Sequence, residues 1–268
     1  MTLAEAWQLF AWSWLAAGAA AVGLALIGVA TVARGQVLRV PAVAQATAAA
    51  AAVALLAGAH ADALTNPWIG RLSTIAAAVV ATVCLRRAGA LADAWLLLAA
   101  GAASPLLLGQ LPHGRAELDR VLFSSLLGAD CTDALLTAGF AAATVTVAAL
   151  CRRTLVAVLI DPVAARAHGL EVGRWDLGLA VWTGLGIGLV GGTAGALFTA
   201  AVLILPAMTA RVMCRTTGAA LVAAPVIALV AVALGEIIAL TADLPPGQTM
   251  VAVLALLAAL AAAGRRGS

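Results

Sequence analysis

The sequence predicts an all-α protein, a polytopic membrane helical bundle of eight or nine transmembrane helices with one short helix on the cytoplasmic side. Hydrophobic residues fill 64% of the 268 positions, charged residues only 10%, and mean hydropathy is +1.10, a balance outside that of water-solvated domains. Apolar stretches recur along nearly the whole chain, several of them 18 or more residues without a charge, the length that crosses a bilayer core as helix. Barrel strands would instead give short alternating segments.

Arg and Pro/Gly punctuation divides the apolar runs into nine candidate spans, at about 7–33, 41–60, 72–85, 88–111, 132–151, 175–192, 194–213, 217–242 and 247–264. The first opens within MTLAEAWQLF, which has no basic residue before its apolar run and no clear small-residue cleavage site. A removable signal peptide is therefore not expected, and the first helix should be retained. The third, between Arg71 and the pair Arg86 and Arg87, is short. As a re-entrant piece it would reduce the count to eight and move the N-terminus across the membrane.

Nine spans with the N-terminus outside place Arg34, Arg39, Arg86, Arg87, Arg152, Arg153, Arg166, Arg174, Arg211, Arg215, Arg265 and Arg266 in the cytoplasm and only Arg71, Arg115 and Arg120 outside. That is the asymmetry of the positive-inside rule. Trp7, Trp12 and Trp14 then fall near the outer interface, where indoles anchor. No stretch has the composition of a linker, so residues 1–268 are expected to form a single transmembrane domain. Its longest segments between spans are the outer loop 112–131, with His113, and the inner segment 152–174.

Several chemistries are excluded. All 15 basic residues are Arg and the net charge is +3, so no nucleic-acid footprint is present. Without Lys there is no Walker A loop, whose Lys reaches the β and γ phosphates. No GxSxG elbow occurs, and His60, His113 and His168 sit in or beside loops. Cys84, Cys131, Cys151 and Cys214 are scattered and fit packing roles better than a metal or redox motif.

Within the inner segment, DPVAARAHGLEVG at 161–173 carries its own start and stop. Asp161 can N-cap a helix with Pro162 at its first position, and Gly169 can end it in the left-handed conformation. The simplest account is a surface helix between spans. Next comes a glycine-dense span with Gly184, Gly188 and Gly192 at four-residue spacing, a pattern that lets backbones approach. In LILPAMTAR, Pro206 frees a carbonyl inside the membrane and is expected to kink its helix.

Few acids lie within spans. Asp93 is a candidate for the pathway, or for a structural pair with Arg86 or Arg87. Glu236 and Asp243, seven residues apart, share a helical face if the helix persists, and could pass cations; Asp243 could equally be a turn residue before Pro245. Asp130, Cys131 and Asp133 could offer oxygens and a thiolate, although helix capping by Asp130 or Thr132 is simpler. Asp176 reads as an N-terminal helix charge.

The stretch from Leu122 to Pro246 resembles the permease family of ABC transporters that import zinc, manganese or iron. The resemblance is carried by LFSSLLGADCTDALL at 122–136, DPVAARAHGLEVG at 161–173, GGTAGALFTAAVLILPAMTAR at 191–211 and DLPPG at 243–247. The first half is similar only in span spacing and loosely around Asp93. The resemblance implies a multi-pass subunit of the bacterial cytoplasmic membrane that dimerises, with an identical or different permease, around a central pathway. It also implies a separate ABC ATPase, using ATP and Mg, that receives the coupling residues Asp161, Ala164, Ala165, His168 and Gly169. An extracytoplasmic metal-binding protein would deliver cargo to the outer loops. The pathway would draw on Asp93, Pro206, Glu236 and Asp243, with Asp93 and Glu236 as possible metal ligands, and no cofactor is expected on this chain. One departure bears on cargo. Where the family carries Asp and His in a GDALSHA-like stretch, this chain has VPAVAQA at 40–46, placing Pro41 and Gln45 there, and an amide is a poor zinc ligand beside imidazole. A metal chelate, or a non-transporting scaffold role on the same fold, are the alternatives.

Overall fold

The computed structural model describes residues 3–60, 67–110 and 128–266. His113 and residues 122–127 of the first family-like motif lie outside them. Among the described residues the regular elements are helices: α1 (Leu3–Ala33), α2 (Arg39–His60), α3 (Pro67–Leu85), α4 (Ala90–Leu108), α5 (Cys131–Leu150), α6 (Arg152–Ile160), α7 (Pro162–Ala167), α8 (Val172–Met213), α9 (Thr217–Ala242) and α10 (Pro246–Arg266). Eight of these are long and apolar enough to cross a membrane.

One of the eight crosses twice. At 42 residues, α8 would run about 63 Å if straight, twice a bilayer's hydrocarbon thickness. It is broken at Gly195, whose φ of 79° and ψ of 162° are non-helical, a conformation L side chains avoid. The contacts of the two limbs show that the chain reverses there. Along the first limb Asp176 pairs with Arg34, which directly follows α1, and Gly186 lies against Leu24, so that limb runs antiparallel to α1. Along the second, Leu203 lies against Gly28, and Arg211 donates to the Val32 carbonyl, so that limb runs parallel to α1. The described helices therefore make nine crossings, as the sequence division at 192–194 anticipates.

The third span is full length. It starts at Pro67 rather than after Arg71, because Arg71 is tolerated inside the helix: its guanidinium stacks 5.2 Å from the Trp68 ring centroid and lies 2.9 Å from Asp133 of α5. The structure thus resolves the eight-or-nine ambiguity against a re-entrant segment. With nine alternating crossings, every described Arg except Arg71 falls at one end of the bundle, which the positive-inside rule marks as cytoplasmic.

Helix α1 is the central post. Ala16, Ala17, Ala20, Ala21, Leu24 and Ala25 are fully buried, and α5, α9 and both limbs of α8 pack around it. Small side chains allow this, since helix association in lipid depends on close van der Waals fit and not on exclusion of water. The predicted glycine seam is real: a Cβ at Gly184 would sit 2.6 Å from Val79 Cα, one at Gly188 2.5 Å from Ile75 Cα, and one at Gly192 3.2 Å from Thr74 Oγ1. Peripheral α4 turns Leu91, Leu98 and Leu106 outward, as a lipid-facing surface requires.

Candidate functional site

Two features could carry function, a capped helix at the cytoplasmic end and a set of charged or amide groups within the spans. The capped helix is α7. Asp161 Oδ1 accepts from the amides of Val163 and Ala164, both at 2.9 Å, with Pro162 at the first helical position. At the other end Gly169 has φ 81°. Its amide donates to Arg166 O at 3.0 Å, and Leu170 donates to Ala165 O at 3.1 Å, which together form a Schellman motif.

Burial splits α7 into two faces. Ala165 is buried against Val158 of α6 and Val172 of α8, with Leu170 and Trp175 packed beside them. Val163, Arg166, Ala167, His168 and Gly169 are exposed, and Ala164 is half-buried. His168 Nδ1 lies 2.8 Å from the Ala164 carbonyl. A displacement of α7 would therefore pass through the Ala165–Val172 contact into the first limb of α8. One turn further along, Asp176 accepts from Arg34 at 2.6 Å, so the same limb is tied to the central helix. Asp176 is thus more than a helix-start charge. Burial holds the Arg34 guanidinium below its ordinary pKa, against the opposing pull of Asp176.

The intramembrane acids do not converge. Asp93 is buried in the first turn of α4 and pairs with Arg39 of α2, Nε to Oδ1 at 3.1 Å. Arg39 also donates to the Ala88 carbonyl at 3.3 Å. The ion-pair partner is therefore Arg39, not Arg86 or Arg87 as sequence proximity suggests; 54 positions separate the pair, so no local pattern reveals it. Glu236 is buried in α9 near the opposite end of the bundle, and among the described residues it makes no ion pair. Asp243 caps α9 in the left-handed conformation, φ 53°, and is exposed. No group of three His, Cys, Asp or Glu among the described residues could hold a metal ion, and Asp93 and Glu236 do not share a site.

Asp130 and Asp133 form a capping box: Asp133 N donates to Asp130 Oδ1 at 2.8 Å, and Asp130 N to Asp133 Oδ2 at 3.3 Å. Arg71 spends the remaining charge, so capping and ion pairing account for both carboxylates, while Cys131 is an exposed free thiol. The hydrogen bond from Asp133 N holds the Asp130 carboxyl below its usual range, with Arg71 adding to the effect against partial desolvation.

Pro206 is buried within the second limb of α8, whose break lies eleven residues earlier at Gly195. Two amide oxygens stand out: Gln45 Oε1 in α2 and Gln248 Oε1 in α10 are buried without a hydrogen-bond partner among the described residues. The sequence flags Gln45 only through its position in VPAVAQA, and gives no signal for Gln248.

The profile of the ABC 3 transport family matches residues 6–265. A curated relative, the chelated iron transport system membrane protein YfeD of Yersinia pestis, is 31% identical over 140 residues, 52% of this chain and 47% of its own length. The chain thus aligns with about half the length of that relative. Among solved structures, PsaBC from Streptococcus pneumoniae in complex with Fab superposes with a TM-score of 0.79 at 19% identity, over 96% of this chain and 93% of that one. A structure described as a metal-chelate type ABC transporter in an inward-facing conformation superposes with a TM-score of 0.73 at 17% identity, over 94% of this chain and 85% of that one. At these identities the likeness is one of fold.

Proposed function

The chain belongs to the ABC 3 transport family, the membrane permease components of ATP-binding-cassette transporters, and from that premise we propose that it forms half of a pathway importing a transition metal, zinc, manganese or iron. It is a multi-pass protein of the cytoplasmic membrane and performs no ATP chemistry itself. A separate ABC ATPase closes on ATP and Mg and moves α7, an extracytoplasmic binding protein delivers cargo, and a second permease, identical or not, completes the pathway. The likeness to YfeD, named for chelated iron transport, and to a structure described as a metal-chelate type ABC transporter supports this reading.

The observation that carries the proposal is α7: a doubly capped helix on the Arg-rich side, with one face seated on α8 and the other exposed. Local capping makes it rigid, and a rigid element between spans can transmit a domain closure. The test is co-purification with the cognate ABC ATPase, followed by uptake in vesicles. Gly169→Pro should abolish uptake; if no ATPase binds and this variant still transports, the coupling claim fails.

A second cargo, a metal chelate such as haem or a siderophore complex, is favoured by Pro41 and Gln45 standing where the family pattern carries Asp and His. Gln45 offers a buried oxygen without a partner among the described residues, an acceptor suited to a polar organic ligand and a poorer ligand for zinc than imidazole. Competition by free zinc or manganese separates the two: a bare-ion pathway is inhibited, a chelate pathway is not.

A further inference from the structure

We propose that the crevice between α5, α6 and the first limb of α8 holds one acyl chain of an anionic phospholipid of the inner leaflet, its phosphate meeting Arg152 and Arg174. The cavity measures about 360 Å³. Leu26 and Ile27 of α1 form its floor, Val147 of α5 and Leu179 of α8 its walls, and Leu155 of α6 and Leu221 of α9 its cytoplasmic end. Its depth follows from the chain. Trp182 is seven residues deeper than Trp175 on the same limb, and Leu221 is one turn from the inner start of α9. The crevice therefore lies in the cytoplasmic half of the membrane.

An aqueous filling is disfavoured by the lining. Its deeper indole and its hydroxyl satisfy one another: Trp182 Nε1 donates to Thr144 Oγ1 at 2.9 Å, and Thr144 donates to the Phe140 carbonyl at 2.7 Å. A water needs two to four polar partners to occupy a cavity, and an apolar space lacking them takes an apolar occupant. At this depth the apolar solvent is lipid tails.

The open end carries the complementary charge. The Arg174 side chain is 84% exposed and pairs at its own surface with Glu171 at 2.6 Å. Arg152 precedes Leu155 by three residues, on the same face of α6, and donates to the carbonyl of Gly218, one turn from Leu221. Each guanidinium has five donors, so both can also meet a phosphate. With Glu171 as the single acid among them, the mouth is net positive at the level of lipid headgroups, and Trp175 lines it where indoles anchor. An amphipathic helix, α6, with its Arg pair at one end and Leu155 and Leu159 buried, forms one side of the site.

Native mass spectrometry of the purified chain, equilibrated with mixed micelles of phosphatidylglycerol and phosphatidylethanolamine in equal amounts, tests the proposal. The wild type should retain one phosphatidylglycerol in preference. Arg152→Gln with Arg174→Gln should weaken that preference about 25-fold, about five-fold for each Arg near the surface. Ala148→Trp, which fills the crevice, should remove the lipid altogether, while Leu91→Trp on the outward face of α4 should leave it. Circular dichroism confirms that each variant is folded. Equal retention of the two lipids by the wild type, or the same preference in the double Arg variant, overturns the proposal. So does cross-linking of Leu155→Cys to a second copy of the chain, which would mean that protein covers the crevice.

Discussion

Arg39 Nε lies 3.1 Å from Asp93 Oδ1, with both side chains buried at the cytoplasmic end of the bundle, so that α2 and α4 are fastened where the two spans enter the membrane. Desolvated charges of this kind are costly to strand, and the second bond from Arg39 to Ala88 O fixes the guanidinium further.

Breaking the pair on one side should be severe. Asp93→Ala or Arg39→Ala is expected to destabilise the detergent-solubilised chain by about 3–5 kcal/mol in an unfolding titration, because the remaining charge is left unpaired. Asp93→Leu combined with Arg39→Met should recover most of that loss. Equal stability of wild type and Asp93→Ala would free Asp93 for the pathway role suggested by its position.

Packing at the central post makes a second expectation. A Cβ at Gly28 would meet the carbonyl of Leu203 on the second limb of α8, whereas one at Gly101 in α4 meets nothing within 4 Å. Gly28→Ala should therefore cost about 1–3 kcal/mol by overpacking. Gly101→Ala, measured in the same titration, should be neutral or slightly stabilising.

Coupling should depend on the local geometry of α7. Asp161→Ala removes the acceptor for two amides and is expected to lower the stability of this segment by about 1 kcal/mol. Gly169→Val forces a β-branched residue to φ 81°. Both should reduce ATPase-dependent uptake while the purified permease keeps its helix content by circular dichroism. Unchanged uptake in both variants would remove α7 from the coupling path.

The hairpin in α8 has a topological consequence. Arg174→Cys and Arg215→Cys, introduced singly, should react with a membrane-impermeant maleimide from the same, cytoplasmic, side. The native Cys131 should react only from the opposite one. Labelling of 174 and 215 from opposite faces would mean that α8 crosses once.

Acid sensitivity should appear at the outer end of α5. The folded Asp130 carboxyl titrates below its unfolded value, chiefly through the bond from Asp133 N. Its contribution is therefore complete above the ordinary carboxylate range, and is lost as pH falls through the lowered folded value. Asp130→Asn keeps an N-cap oxygen but cannot titrate. The thermal midpoint of this variant should fall less steeply on acidification than that of the wild type.

What the sequence reveals at the sites follows from the range of each interaction. The caps of α7 are legible because an N-cap and a Schellman turn are complete within ten consecutive residues, from Asp161 to Leu170. The Arg39–Asp93 pair is not, since nothing near Asp93 distinguishes Arg39 from Arg86 or Arg87. Pro206 looks like the point of disruption in α8, yet a proline removes one hydrogen bond, and neighbouring helices in a membrane can accommodate it. Gly195 is the break, beside the division that punctuation places at 192–194, although its positive φ is not itself visible among the glycines clustered around it.

By itself the sequence determined the helical membrane fold, the approximate bounds of most crossings and, for nine spans, the side that faces the cytoplasm. Hydropathy, span length and Arg placement are local properties that the bilayer reads one segment at a time. The tertiary structure decided which charges meet, that the third segment is a full crossing with Arg71 held by Asp133, and which helix the glycine seam packs against, because each depends on two segments brought together from distant parts of the chain. The separation of Asp93 from Glu236 belongs to that second class, and with it the absence of a metal cage among the described residues.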